Sequence, residues 1–255
     1  MNTKIGGGSK IGMTDVEVTP LSEDEVHVWL ASLDRQQSEL KFFESILAEE
    51  EMDRANRFYF HSDRERFVTG RGMLRVILNS YLGVPPGEIL FSYGSRGKPA
   101  LQPQVGQPAI QFNLAHSHGT AIYGMTQNRC VGVDIESIQP DFPVEDVAIN
   151  FFSVAELATF QALPNALRTE AFFKCWTRKE AFIKALGDGL SCPLKGFDVS
   201  LAPGEPARLL RVGWAPEETS RWYMEDICGL PGFSAAIVLS GPQCQMHVSH
   251  WPLKQ

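Results

Sequence analysis

A chain of 255 residues can form one large domain or two small ones around a substantial core. Its 44% hydrophobic and 21% charged residues are ordinary for a globular protein, and a formal net charge of −7 argues against a general nucleic-acid binder. No apolar run approaches the roughly 20 residues that span a bilayer, so no membrane partner is expected.

In chain order, residues 1–20, with Gly6-Gly7-Gly8-Ser9, read as a flexible leader. A strand is expected over 23–29, where Val26 and Val28 alternate with polar neighbours. Helices follow over 40–47 and 49–57, then a longer one over 62–81. Phe67, Gly70, Leu74, Ile77, Leu78 and Tyr81 keep its apolar spacing, and Gly83 with Pro85-Pro86 stops it. Arg54, Arg64, Arg66, Arg71 and Arg75 on or near this helix read mainly as a solvated face, with one or two reaching an anionic ligand. A short strand over 89–93 leads to the turn Gly94-Ser95-Arg96-Gly97-Lys98-Pro99. That turn lacks the ending and following helix of a Walker motif, but carries two cations.

After a Gln/Pro-rich loop over 102–108, strands are expected over 110–114, 120–126 and 130–135. Helices are expected over 145–150, 153–163 and 167–186. Ser153 and Glu156 make a capping box for the second of these, and Gly187-Asp188-Gly189 ends the third. Four further strands are expected over 196–202, 207–212, 221–227 and 233–239. The helix–turn–strand run of 57–101 is echoed in 172–199, which suggests two similar halves, 21–127 and 128–255, meeting at a ligand cleft.

Five cysteines without a CxxC pair suit reduced thiols in a cytosol, not a disulfide framework or a zinc site. The strongest chemical signal lies elsewhere. Asp134 and Glu136 sit on alternate residues of a strand and so share a face. Two acids on one strand face repel each other, and a cation offsets them directly. Glu180, at the edge of a buried helical stripe, supplies a third carboxylate, with Lys184 one turn on. Such a set can hold a hard divalent cation and leave positions for water and phosphate. His116 and His118 at i,i+2 are by themselves more often structural than metal-binding.

Three segments in register, Phe112-Asn113-Leu114-Ala115-His116-Ser117, Val131-Gly132-Val133-Asp134-Ile135-Glu136 and Phe173 to Lys184 around Trp176-Thr177-Arg178-Lys179-Glu180-Ala181, resemble the 4'-phosphopantetheinyl transferase superfamily. The resemblance is to the longer surfactin-synthetase-activating (Sfp) type, over about residues 24–240. It implies an α/β (α+β) pseudo-dimer, each half a small, mainly antiparallel sheet packed by a long helix, with the active site in the cleft between the halves. It implies a Mg2+-dependent monomer, with Mn2+ as a possible substitute. Such an enzyme moves 4'-phosphopantetheine from coenzyme A to a serine of an acyl or peptidyl carrier protein and releases 3',5'-ADP.

By the same resemblance Asp134, Glu136 and Glu180 would hold the metal, and Glu180 would help to deprotonate the serine. Lys184 and His116 would meet phosphates. Arg54, Arg96, Gly97, Lys98, Pro99, Asn113 and Ala115 would line the coenzyme site. Ala115 stands where Ser is common, and Phe67 where a small polar residue can occur. A Mg2+-dependent phosphohydrolase and a non-catalytic coenzyme-A-binding module are the alternatives.

Overall fold

The computed structural model describes residues 20–94, 97–102, 109–187 and 192–251. The expected leader up to residue 19, Arg96, nearly all of the 102–108 loop and Asp188-Gly189 lie outside the described residues.

The chain runs β1 (Glu25–Ser32), α1 (Gln37–Ile46), α2 (Glu49–Ala55), α3 (His61–Leu82), β2 (Phe91–Tyr93), β3 (Pro99–Leu101), β4 (Ile110–Ser117), β5 (Thr120–Gln127) and β6 (Val131–Ser137). It continues through α4 (Val144–Phe151), α5 (Val154–Ala162), α6 (Asn165–Leu186), β7 (Phe197–Val199), β8 (Leu209–Val212), β9 (Trp222–Asp226), β10 (Phe233–Ser240) and β11 (Gln245–Trp251). α3 and α6 are each 22 residues long, and each is closed by a glycine at positive φ, Gly83 at 65° and Gly187 at 79°.

Two sheets carry the architecture, one ordered β11-β1-β5-β4 and the other β6-β10-β9. Strand alternation sorts their side chains into three apolar layers. Trp29, Ala31, Phe112, Tyr123 and Met125 face α1 and α3. Val26, Val28, Ala115 and Ile122 face the second sheet, where they meet Val131, Val133, Ile135 and Ile237. Ala236, Val238 and Met224 turn the other way, toward α4 and α6. The order is therefore helices, sheet, sheet, helices, the expected pairing of two mainly antiparallel sheets each covered by a long helix. Gly124 lets the sheets approach, since a Cβ there would lie 2.8 Å from Val133 Cγ1.

Three features differ from the sequence reading. β1 is buried on both faces because it lies inside this stack, so its alternation does not mark a solvent side. β3 and β11 were not expected. β11 is largely exposed and offers little apolar signal, yet it returns to pair in parallel with β1 across the first sheet. The arginine face is also corrected. Arg75 is 2% exposed and bonds Glu51 at 2.7 Å, and Arg71 is 7% exposed, so both are interior groups of α3.

Candidate active site

Gly132, Asp134 and Glu136 point from β6 toward α6, and Gly132 sets the distance between the two elements. A Cβ at Gly132 would stand 2.1 Å from Ala181 O and 2.3 Å from Ala185 N, so only glycine lets the helix lie flush on the strand. That contact brings Glu180 and Lys184 over the two strand carboxylates. Pairing of β6 with β10 places Asp134 opposite Ala236 and Glu136 opposite Ser234. One turn before Glu180, Thr177 Oγ1 lies 3.1 Å from Ser234 Oγ. Arg178 holds Asp226 through two nitrogens at 2.6 and 2.8 Å. These bonds fix the rotation of α6 that presents Glu180.

Asp134 is 4% exposed. Lys184 Nζ donates to its Oδ1 at 2.6 Å, while its Oδ2 is buried without a hydrogen-bond partner. Burial pushes the Asp134 pKa up to about 7; Lys184 opposes this, and the nearby charges of Glu136 and Glu180 add to it. Glu180 is likewise raised by burial, against Lys184 and with Glu136. The three carboxylates thus feel one another across one small space, where negative charge is in excess. An orphaned, buried carboxylate oxygen in such a cluster fits a hard cation. Among the described residues no three His, Cys, Asp or Glu side chains close into a chelate by themselves, and Lys184 occupies one oxygen of Asp134. A cation here would take most of its remaining positions from water and a ligand's oxygens, as Mg2+ commonly does.

Beside the carboxylates, Gly97, Lys98, Pro99, Asn113, Ile183 and Lys184 line a cavity of about 240 Å3. Lys98 reaches from the β2–β3 hairpin to the end of α6, where Nζ donates to Lys184 O at 2.5 Å and approaches Val131 O at 3.5 Å. Burial lowers its pKa. His116, an exposed residue of β4, is not part of this cavity's lining. Partial burial and then the Lys184 charge lower its pKa, against Glu136, so this ring shares the same electrostatic field. Ala115 does not line this cavity; it is 5% exposed and packs between the sheets. Arg54 lies apart, its guanidinium 5.3 Å from the Phe67 ring centroid. It helps to wall a second cavity of about 620 Å3 with Arg57, Arg71, Phe58, Phe67 and Tyr93. Tyr93 of the larger cavity and Lys98 of the smaller lie on the two sides of the β2–β3 hairpin.

The seam between β4 and β6 was not legible in the sequence. Both are edge strands of their own sheets and share no backbone ladder, so β6 would leave N–H groups unpaired. β4 side chains take them: Val133 N donates to Asn113 Oδ1 at 2.9 Å, and Ser137 N to Ser117 Oγ at 3.1 Å. Ser117 Oγ also donates to Glu136 Oε2 at 3.0 Å. The one hint was parity, since Asn113, Ala115 and Ser117 alternate along one strand face.

Known proteins resemble this chain over most of its length. The family model described as 4'-phosphopantetheinyl transferase superfamily matches residues 130–237, and that described as 4'-phosphopantetheinyl transferase, N-terminal, matches residues 32–126. The 4'-phosphopantetheinyl transferase HetI of Nostoc sp. is 42% identical over 87% of this chain and 90% of its own length. The 4'-phosphopantetheinyl transferase psf-1 of Bacillus pumilus is 32% identical over 84% and 86%, and Sfp of Bacillus subtilis is 30% identical over 81% and 88%. Among solved structures, the holo-acyl-carrier-protein synthase of Thermotoga maritima superposes on 44% of this chain and 63% of its own, at 22% identity and a TM-score of 0.34.

Proposed function

The chain belongs to the 4'-phosphopantetheinyl transferase superfamily, as an enzyme of the Sfp type, and from that premise we propose that it transfers 4'-phosphopantetheine from coenzyme A to a carrier-protein serine in a Mg2+-dependent reaction that releases 3',5'-ADP. The observation that carries this reading is the packing of α6 on β6, which sets Asp134, Glu136, Glu180 and Lys184 beside the cavity of Lys98 and Asn113.

Transfer of a phosphoryl-type group asks a protein mainly for positioning and for charges where the transition state becomes negative. Asp134, Glu136 and Glu180 would hold Mg2+, which when bound neutralises the diphosphate. Lys184 lies between Asp134 and the cavity, so its ammonium can move from the carboxylate to an incoming phosphate oxygen. Lys98 and His116 would add donors on the other side. Glu180 has its pKa raised by burial, which makes it a stronger base than a solvated carboxylate. We assign it the serine proton. Arg54 would meet the far end of the nucleotide from the larger cavity.

A −7 enzyme needs a local surface to receive an acidic carrier domain. The test is incubation of apo-carrier proteins with coenzyme A and Mg2+, followed by intact mass. The expected result is a gain of one phosphopantetheine on the carrier, abolished by chelation and restored by added Mg2+. Phosphate release without any carrier, or no mass gain across a panel of fatty-acid, polyketide and peptide carriers, would overturn the reading.

A further inference from the structure

We propose that Ser117 is a positioning residue for Glu136, a role that rests on the transferase reading above and deepens its carboxylate site. The hydroxyl of Ser117 has one proton to give. It receives Ser137 N–H at 3.1 Å and lies 3.0 Å from Glu136 Oε2, with His118 Nδ1 farther off at 3.3 Å. The proton therefore goes to the carboxylate, and the group is 9% exposed, where water competes little. One side chain thus holds both the carboxylate of Glu136 and the backbone of the residue after it.

The spacing makes this part of a built frame. Asn113 and Ser117 are four apart on β4, and their backbone partners Val133 and Ser137 are four apart on β6, in the same direction. Asp134 and Glu136 lie between those two anchors. Restraint is needed here because Glu136 is the penultimate residue of an edge strand and faces two like charges, Asp134 and Glu180. A carboxylate under that repulsion swings toward water unless something holds it. Ser117 is the only described side chain that hydrogen-bonds it. Lys184 is already spent on Asp134. Removing the hydroxyl frees Glu136 without emptying the core, because no apolar contact is lost.

Outer partners of this kind are worth about 10–100-fold in metal affinity. The experiment compares wild type, Ser117→Ala and Ser117→Thr in full-length protein, by calorimetric titration with Mn2+ and by the Mg2+ dependence of transfer. Ser117→Ala should weaken Mn2+ binding and raise the half-saturating Mg2+ by about 10-fold or more. Saturating Mg2+ should restore most of its rate, and its melting temperature should fall only modestly, because Ser137 N–H loses its acceptor. Ser117→Thr, which keeps the hydroxyl, should recover most of the affinity. Unchanged Mn2+ affinity in Ser117→Ala overturns the proposal, as does a fall in melting temperature and rate at unchanged affinity, which marks a purely structural serine. Absence of Mn2+ binding in wild type removes both the metal site and this role. Wild type that binds Mn2+ but modifies no carrier defeats the transferase reading alone.

Discussion

A methyl group at Gly132 would fall on the backbone of α6, where no side-chain rotamer can relieve it. Gly132→Ala should therefore push the helix off the strand, cost about 1–3 kcal/mol or more in urea unfolding, and cut transfer by separating Glu180 from Asp134. Glu180→Gln makes the complementary change, nearly isosteric and without a base. We expect its kcat to drop by about 100- to 10,000-fold, with coenzyme A binding by calorimetry largely kept. At this scale the sequence was informative where chemistry follows a local period. Asp134 with Glu136 and Glu180 with Lys184 could be read from strand and helix spacing. Ser117 could not, because its partner lies 19 residues away across a seam that has no backbone ladder to announce it. Arg71 and Arg75 depart from a mainly solvated arginine face because Glu51 stands beside both inside the helix packing, 2.7 Å from Arg75 and 4.0 Å from Arg71.

Ser153 and Glu156 show how an element can be legible in part. The capping box of α5 was visible as a spacing, and the structure forms it in both directions. What the spacing did not reveal is that Glu156 also receives Lys179 Nζ at 2.7 Å and Val199 N at 2.8 Å. One buried carboxylate thereby ties α5, α6 and β7 together. Lys179, 1% exposed and also donating to Phe197 O, is held inside, and the adjacent Glu180 is left at the surface of the cleft. Glu156→Gln leaves the Lys179 charge without its counterion. The expected loss is about 3–5 kcal/mol of stability, seen as a lower denaturation midpoint, with Glu156→Gln/Lys179→Met recovering much of it.

Across the whole molecule, β11 closes the first sheet by pairing with β1, and His27 sits under that closure. Trp29 Nε1 donates to Tyr81 Oη at 2.9 Å, and the Tyr81 hydroxyl is 2.8 Å from His27 Nδ1, an arrangement completed when the tyrosine donates to a neutral histidine. Its register partner His247 stacks edge-on at 5.5 Å between centroids. Burial first, then the His247 charge, lower the His27 pKa below its ordinary value near 6.5, with Glu25 opposing. The unfolded chain then binds more protons than the folded one just below pH 6.5. Stability from His27 is therefore full above that pH and is lost as pH falls through the lowered folded pKa. Chemical denaturation from pH 7.5 to 5 should show this decline, and His27→Asn should flatten it.

By itself the sequence determined the two long helices, their glycine stops, most of the strands and the acid-bearing segments. Each depends on contacts within a few residues, so periodicity records it. Only the tertiary structure decided which edges meet. It placed α6 on β6 through Gly132, set β4 beside β6 without a ladder, and returned β11 to β1. Those choices depend on groups far apart in the chain that must be satisfied together, chiefly edge N–H groups needing acceptors and buried charges needing partners. No local pattern records such a requirement.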